Sequence, residues 1–320
     1  MNEKIKKIEN SNLPLISGGP DLCIIKYNAE LDKIVVDMRQ EPIVESEKDQ
    51  IDVFCKDNDI DNLLIFHNNV AMKNTENYYS FPYLLITTQK YMKRDSQYGK
   101  IDLKSKKEKI YNCLNSMEKE HRTIIFDNLK RKGLLNMGFV SYIDRGVILP
   151  KKIDPMGKFP IGWDCFNYYV TEKSYFSVVT ETQHEYDNPD YDGLHITEKT
   201  YKALISQPFI IVGQYGHLKK LREYGFETYS ELFDESYDLI KNPRKRLNFI
   251  VDEIERLCNM DERKLKEIYK FVLWKVDYNR NIMLNFKDDD YSNLMLEHFS
   301  SPFQLFSMYT HQRVQVINEK

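Results

Sequence analysis

Residues 175–213 read YFSVVTETQHEYDNPDYDGLHITEKTYKALISQPFIIVG, and this stretch decides the fold. Tyr175 to Thr180 predicts a strand from its aromatic and β-branched content. An acidic, aromatic loop follows and ends at His195. Thr197 is placed to N-cap a helix that starts at Glu198, carries Tyr201, Leu204 and Ile205 inward and stops before Pro208. Phe209 to Val212 is short and wholly apolar, the pattern of a strand buried on both faces of a parallel sheet. Gly213 ends it, and a helix from about His217 to Tyr224, closed by Gly225, completes a strand, helix, strand, helix order. That order predicts a Rossmann-like second domain.

Moving toward the N-terminus, Ile110 to Leu114 is a further strand. A polar loop leads from it to a helix from Glu120 to Lys132, with Ile124, Ile125, Leu129 and Phe126 toward the sheet and Gly133 at its C′ position. The polar, basic segment LKSKKEK (Leu103 to Lys109) marks a domain boundary, because linkers collect charge and lack apolar periodicity. Before it, five apolar runs read as strands: Leu22 to Tyr27, Lys33 to Met38, Ile51 to Cys55, Asn62 to Phe66 and Tyr83 to Thr88. The gaps between them are too short for several long crossover helices, so this half departs from regular βαβ alternation. Toward the C-terminus, helices are expected over Arg244 to Asn259 and Asp261 to Asn285. A break at Asp288 to Tyr291, a last helix near Ser292 to Phe299 and a tail complete the chain. The expected division is residues 1–104, residues 105–285, and residues 286–320 as a helix and tail that pack back on the first domain.

A chain of 320 residues with 42% hydrophobic content suffices for two domains, each with its own core. The 46 basic and 49 acidic side chains nearly cancel, at a net −3. No global positive field therefore calls for nucleic acid or an anionic membrane. Cys23, Cys55, Cys113, Cys165 and Cys258 lie far apart without zinc-ligand spacing, which favours a reducing compartment. The start, MNEKIKKIEN, lacks an apolar signal core, and no run of ~18 apolar residues occurs. A soluble protein of the cytoplasm, or of the host cytoplasm if viral, is the expectation.

The chemistry concentrates at Glu198 and Lys199. A carboxylate, an ammonium and backbone N–H groups at one helix start suit a nucleoside diphosphate, whose phosphates need positive charge and whose ribose needs an acceptor. A solvated first helical turn is the plain alternative. The segment resembles the donor-binding motif of the α1,3-fucosyltransferase family and its fucosyltransferase-like relatives, common in phages and viruses. In that family a strand ending in Glu-Asn-Ser leads through a variable loop to Tyr-Val/Ile-Thr-Glu-Lys, a helix with Ala, and an apolar strand beginning near a Pro. Here Thr180, Glu181 and Thr182 stand at the first of these, the run Ile196 to Lys199 matches the second, and Ala203 and Pro208 follow in register. A second segment, Asn112 to Asn115 followed by the loop to His121 and Arg122, is similar to the strand, Asn-containing loop and Arg that open the family's donor domain.

The resemblance implies an α/β fold of GT-B type, two Rossmann-like domains facing a central cleft, with a UDP- or GDP-sugar in the second. It implies that Arg122 contacts the donor pyrophosphate, Lys199 assists and Glu198 holds the ribose, with Asn115, His195, Thr197, Glu181 and Thr182 completing the donor set. Arg suits the first role because its planar fork binds two phosphate oxygens at once. His195 stands where the family has an aromatic Tyr, and Thr182 replaces Asn, so the base and sugar can differ from GDP-fucose. The loop acids Glu185, Asp187, Asp190 and Asp192 lack rigid octahedral spacing, so a solvated loop and no metal are expected.

Inverting transfer needs a general base on the acceptor hydroxyl. The family's Glu would fall at Asn68, which cannot serve, and the candidates become His67, Glu76 and Asp21. The last follows the Ser17 to Pro20 glycine turn. His217, His298 and His311 read as surface or cap residues, and Trp163 and Trp274 as packing residues. The implied activity is an inverting, metal-independent glycosyltransferase. Its acceptor is either a hydroxymethylated base in duplex phage DNA, tracked by the basic clusters Lys104 to Lys109, Lys219 to Arg222 and Arg244 to Arg246, or a glycan. The alternative is a non-catalytic nucleotide-sugar or interaction module that has lost its base.

Overall fold

Two sheets in series position everything that follows. The computed structural model describes residues 2–11, 13, 24–28, 32–38, 43–80, 82–94, 101–153, 167–187 and 193–287. The first part contains α1 (Asn2–Glu9), β1 (Ile24–Asn28), β2 (Lys33–Met38), α2 (Glu45–Asp57), β3 (Leu63–His67), β4 (Tyr78–Ser80) and α3 (Tyr83–Arg94). The second contains β5 (Lys109–Asn115), α4 (Glu120–Arg131), β6 (Gly138–Tyr142), α5 (Tyr168–Lys173), β7 (Ser174–Thr180), α6 (Glu198–Leu204), β8 (Phe209–Val212), α7 (His217–Glu223), α8 (Pro243–Cys258) and α9 (Glu262–Asn285). No helix among the described residues is long and apolar enough to cross a membrane. Asp21, Trp163, Asp190, Asp192, His298, His311 and the expected helix near Ser292 lie outside the described residues.

The second sheet has the order β6-β5-β7-β8, every pair parallel. Its strands at residues 109–115, 174–180 and 209–212 agree with the expected ones to within a residue or two. Phe209, Ile210, Ile211 and Val212 are all buried, as their uninterrupted apolar run requires of a strand covered on both faces. Gly133 and Gly225 end their helices at φ +73° and +86°, where a side chain would be strained. Sequence reading missed β6, whose GFVSY run is short and begins with Gly. That Gly138 is needed: a Cβ there would lie 2.5 Å from the Tyr111 ring, and the ring is held because its hydroxyl donates to Leu134 O at 3.1 Å. Gly138→Ala is expected to cost about 2 kcal/mol by overpacking, read as a melting-temperature drop in a thermal scan. An unchanged melting temperature would show that Tyr111 swings aside freely.

The first sheet is less regular. Its order is β1-β2-β3-β4, with β1 antiparallel to β2 and the rest parallel. Two expected strands are helices instead. Ile51 to Cys55 lies within α2, where Ile51 is buried while Val53, two residues on, is 60% exposed. A strand would put both on one face, whereas a helix separates them by some 200°. Tyr83 to Thr88 lies within α3, whose buried Tyr83, Leu84, Leu85, Thr88 and Gln89 follow helical spacing. The β-branched residues there suggested a strand, and packing against α6 and α9 overrode that weak preference.

The cores are not one per half. Ile34, Val36, Met38, Leu63 and Ile65 form one cluster with Ile8 and Ile51 on one face of the first sheet. Their strand neighbours Val35, Leu64 and Phe66 point the other way and join the continuous core of the second sheet. Leu103, in the expected linker, is buried in that core, and Tyr269 donates to its carbonyl at 2.9 Å. Two hydrogen bonds clasp the halves at the site: Val70 N donates to Leu194 O and Leu194 N to Asn69 Oδ1, both at 3.0 Å.

Candidate functional site

From β5 the chain passes to one side, to β6, and then to the other, to β7, so the strand order reverses between β5 and β7. Ligands of open parallel sheets bind outside the carboxyl ends of the strands at such a switch point. The two strands end at Asn115 and Thr180, and the Thr180 hydroxyl donates to Asn115 Oδ1. Asn115 Nδ2 reaches Cys113 Sγ at 3.5 Å, so this side chain ties the strand ends together.

The next residue, Glu181, is fully buried. Its Oε1 accepts from Thr197 N at 3.0 Å and Thr200 Oγ1 at 2.5 Å. Its Oε2 accepts from Thr182 N at 3.1 Å and from the Thr197 hydroxyl. Burial alone pushes this carboxyl up, yet His217, Lys199 and the hydroxyls of Thr197 and Thr200 together outweigh it and hold it at about 2. His217 is itself pushed down by burial, so at neutral pH the Lys199 charge and then the Thr197 and Thr200 hydroxyls carry that effect. With four donors in place Glu181 has no lone pair left for a ligand. It is a positioning residue that fixes the start of α6.

That start presents Glu198 and Lys199. Lys199 Nζ donates to Thr182 Oγ1 and Glu198 Oε1, both at 2.9 Å, and remains 37% exposed. Burial would raise the Glu198 carboxyl, but Lys199 and Lys202 outweigh it and hold it down, so it is ionised at neutral pH. The backbone N–H of Lys199 is engaged by Thr197 Oγ1 at 3.4 Å, in the expected N-cap. Lys119, which sequence reading passed over, donates from Nζ to Thr182 O at 2.6 Å.

Arg122 enters from α4 and is buried. Nη1 donates to Met117 O at 3.1 Å and Nη2 to Glu181 O at 3.0 Å, while Nε has no partner. Burial lowers its pKa below the ordinary arginine value, and no ion pair to it is formed among the described residues. Beside it, His121 Nδ1 bonds the Asp187 carboxylate and Nε2 faces Glu181 O at 3.1 Å. The His121 ring stacks on His184 with centroids 5.1 Å apart.

For Asp187 and Glu185, two of the four loop acids, such contacts correct the expectation of a solvated loop. Asp187 bonds His121, and Glu185 pairs with buried Arg246 and accepts from Tyr215 N at 2.7 Å. Nothing in the sequence flagged partners some 60 residues apart. His217, expected as a surface or cap residue, opens α7 but is buried, and Trp274, expected to pack, is 51% exposed. Arg246 is not free to track DNA phosphates, and Arg222 and Lys107 are also engaged, by Glu235 and by Glu172 O.

The three candidate bases separate. Asp21 lies outside the described residues. Glu76 is 89% exposed, beside Lys33 at 3.7 Å. Its place before Tyr78 puts it at the amino-terminal edge of the parallel strands, away from the clasp, so the structure does not bring it to the site. A cavity of about 470 Å³ that includes Asp52, Lys56 and Tyr78 opens at that same far edge and has no connection with the chemistry described. His67 ends β3 at the correct edge and is buried. Its Nδ1 accepts the Asn69 N–H at 3.1 Å, and burial pushes it down to about 4. A neutral ring with Nδ1 as acceptor carries its proton on Nε2, so His67 offers the site a donor rather than a base. His195 lies at the clasp with both ring nitrogens unpartnered.

Among the described residues no group of three or more His, Cys, Asp or Glu is arranged to hold a metal ion. Comparison with protein-family models, curated proteins and solved structures returns no match.

Proposed function

We propose that the chain is a glycosyltransferase that moves a sugar from a nucleoside-diphosphate sugar to an acceptor hydroxyl, as an inverting, metal-independent enzyme of the two-domain GT-B type. The observation that carries this reading is Arg122, a buried guanidinium with two carbonyl contacts, an unpartnered Nε and, among the described residues, no carboxylate bonded to it, at the switch point of a parallel sheet. The charges of Glu181 and Asp187 offset its burial only from a distance, and an anion docked on it recovers more of that cost. A diphosphate is the anion that also uses Lys199, from the opposite side of the switch, and a ribose uses the ionised Glu198. In transfer, the two cations stabilise the charge that grows on the departing diphosphate. The clasp between the two sheets supports a cleft with the acceptor on the first.

A second reading, nucleotide-sugar binding without transfer, is favoured by the tautomer of His67 and by Asn68, which leave no base identified on the acceptor side among the described residues. A thermal-shift screen of UDP, GDP and their sugars tests the common part. Ligand at about 100 times Kd is expected to stabilise the protein by about 2.7 kcal/mol, and Lys199→Ala to weaken that ligand about tenfold. Release of free sugar or transfer to hydroxymethylcytosine-containing DNA or a glycan then separates enzyme from binding module. No shift with any nucleotide would sink both readings.

A further inference from the structure

The long helix α9 is apolar on two opposite sides. Leu265, Tyr269, Val272, Val276 and Met283 form its buried side and belong to the continuous core. At about 100° per residue, Phe271, Trp274 and Tyr278 fall within about 60° of one another on the far side. They are 64%, 51% and 38% exposed. Trp274 and Tyr278 meet edge to face with ring centroids 6.1 Å apart, and Lys275 Nζ lies 5.7 Å from the Trp274 ring centroid. The rings are therefore held in place while much of their surface meets water. An aromatic side chain carries roughly 150–250 Å², so the three leave about 300 Å² of ring exposed, as much as the largest apolar patch of a typical monomer. One apolar stripe suffices to seat a surface helix on its core, and the second stripe serves no contact within the chain.

We infer that this stripe is the docking surface for a second copy of the chain, with the two α9 helices antiparallel about a two-fold axis beside Trp274. The charges along the helix select that occupant. Arg263, Lys264, Lys266 and Lys270 are exposed on α9, but so are Glu262, Glu267 and Asp277. Interleaved signs make no one-sided positive field, which a nucleic acid or an anionic bilayer would require. Lys270 and Asp277 instead flank the stripe on the same side, two turns apart. A two-fold axis perpendicular to both helices brings same-side flanks together with their heights reversed. Each Lys270 then meets Asp277 of the other copy, twice per dimer, and Phe271 meets Tyr278. A parallel pair would turn these flanks to opposite sides of the contact. Asp277 holds Arg280 at 3.0 Å yet its side chain stays 74% exposed, so it has room for a second cation. The size fits as well. An isologous contact uses every residue twice, so six rings and the polar flanks of a helix about 36 Å long reach the lower end of specific interfaces, roughly 1,000–1,200 Å² in total. Such a dimer is reversible, with Kd on the order of 10 µM.

Sedimentation velocity of the full chain between about 1 and 200 µM tests this inference. The native protein should pass from monomer to dimer across that range. Trp274→Glu should stay monomeric throughout, a loss of at least about 100-fold in association. Lys270→Glu or Asp277→Lys alone sets like charges together and should weaken the dimer about tenfold. Combining the two rebuilds both pairs in the reversed sense and should recover affinity to within about threefold of native, a recovery that neither a folding defect nor undirected stickiness produces. Melting curves at low concentration should match the native one for all these variants, because the substituted side chains are exposed. A native protein that is monomeric at 200 µM overturns the inference, and so does a dimer unaffected by Trp274→Glu or a double variant no better than the single ones. Binding to phosphatidylserine vesicles that Trp274→Glu abolishes, by a protein monomeric at every concentration, would assign the stripe to a membrane surface and overturn it too.

Discussion

Arg122→Met is expected to weaken nucleoside-diphosphate binding by about 100- to 10,000-fold while changing the stability of the free protein by only about 1 kcal/mol. Two charge-assisted bonds to phosphate are worth about 1.5–3 kcal/mol each, and 1.4 kcal/mol is a factor of ten. The free protein loses little because the guanidinium is buried against two carbonyls without a carboxylate. Methionine fills the volume of the side chain without a charge to desolvate. The effect should exceed that of Lys199→Ala, whose ammonium is partly exposed and screened. Melting curves and calorimetry on the same variant decide the matter. A large drop in melting temperature with unaltered ligand affinity would make Arg122 a structural residue and remove the basis of the functional reading.

A second large effect is expected from acid. Burial holds His67 and His195 at about 4 and, as the largest of several causes, His184 at about 3, against an ordinary value near ~6.5. Below that ordinary value the unfolded chain takes up protons at these rings and the folded protein does not, so stability falls as pH drops and the fall continues to the folded values. Each ring contributes up to about 1.4 kcal/mol per pH unit, and three together about 4 kcal/mol per unit. Over two or three units below ~6.5 that comes to at most about 8–12 kcal/mol, a loss comparable to a reserve of roughly 5–15 kcal/mol. Glu181, held at about 2, stays ionised through this window and adds its own loss only below the ordinary carboxylate range. Urea titrations at pH 7.5, 6.5, 5.5 and 4.5 measure the slope, and His184→Gln should reduce it by about a third. A stability independent of pH between 7.5 and 5 would mean that these rings are hydrated or already charged in the folded protein.

What could be read along the chain was what neighbours along the chain decide. The buried strand at Phe209 needed only its apolar run, the Thr197 cap only its hydroxyl before a helix start, and the ends at Gly133 and Gly225 only the absence of a Cβ. The paired position of Glu198 and Lys199 followed from the same cap. Where local preference was weak it misled, as at Ile51 to Cys55 and Tyr83 to Thr88. There β-branched content suggested strands, and the faces available for burial chose helices.

The site divides in the same way. The sequence by itself determined three of the four strands of the second sheet and most of its helices, and it singled out Arg122, Glu198 and Lys199, because periodicity, capping and charge type act within a few residues. Only the tertiary structure decided which carboxylates are spoken for, since Glu181 is saturated by Thr197 and Thr200, Glu185 by Arg246 and Asp187 by His121. It also decided that Glu76 and His67 lie at opposite edges of one sheet, and that the side-chain polar atoms of buried Asn68 and His195 go without hydrogen-bond partners. The physical reason is that burial and hydrogen-bond satisfaction depend on distances between residues far apart in the chain, and a one-dimensional string carries no record of those distances.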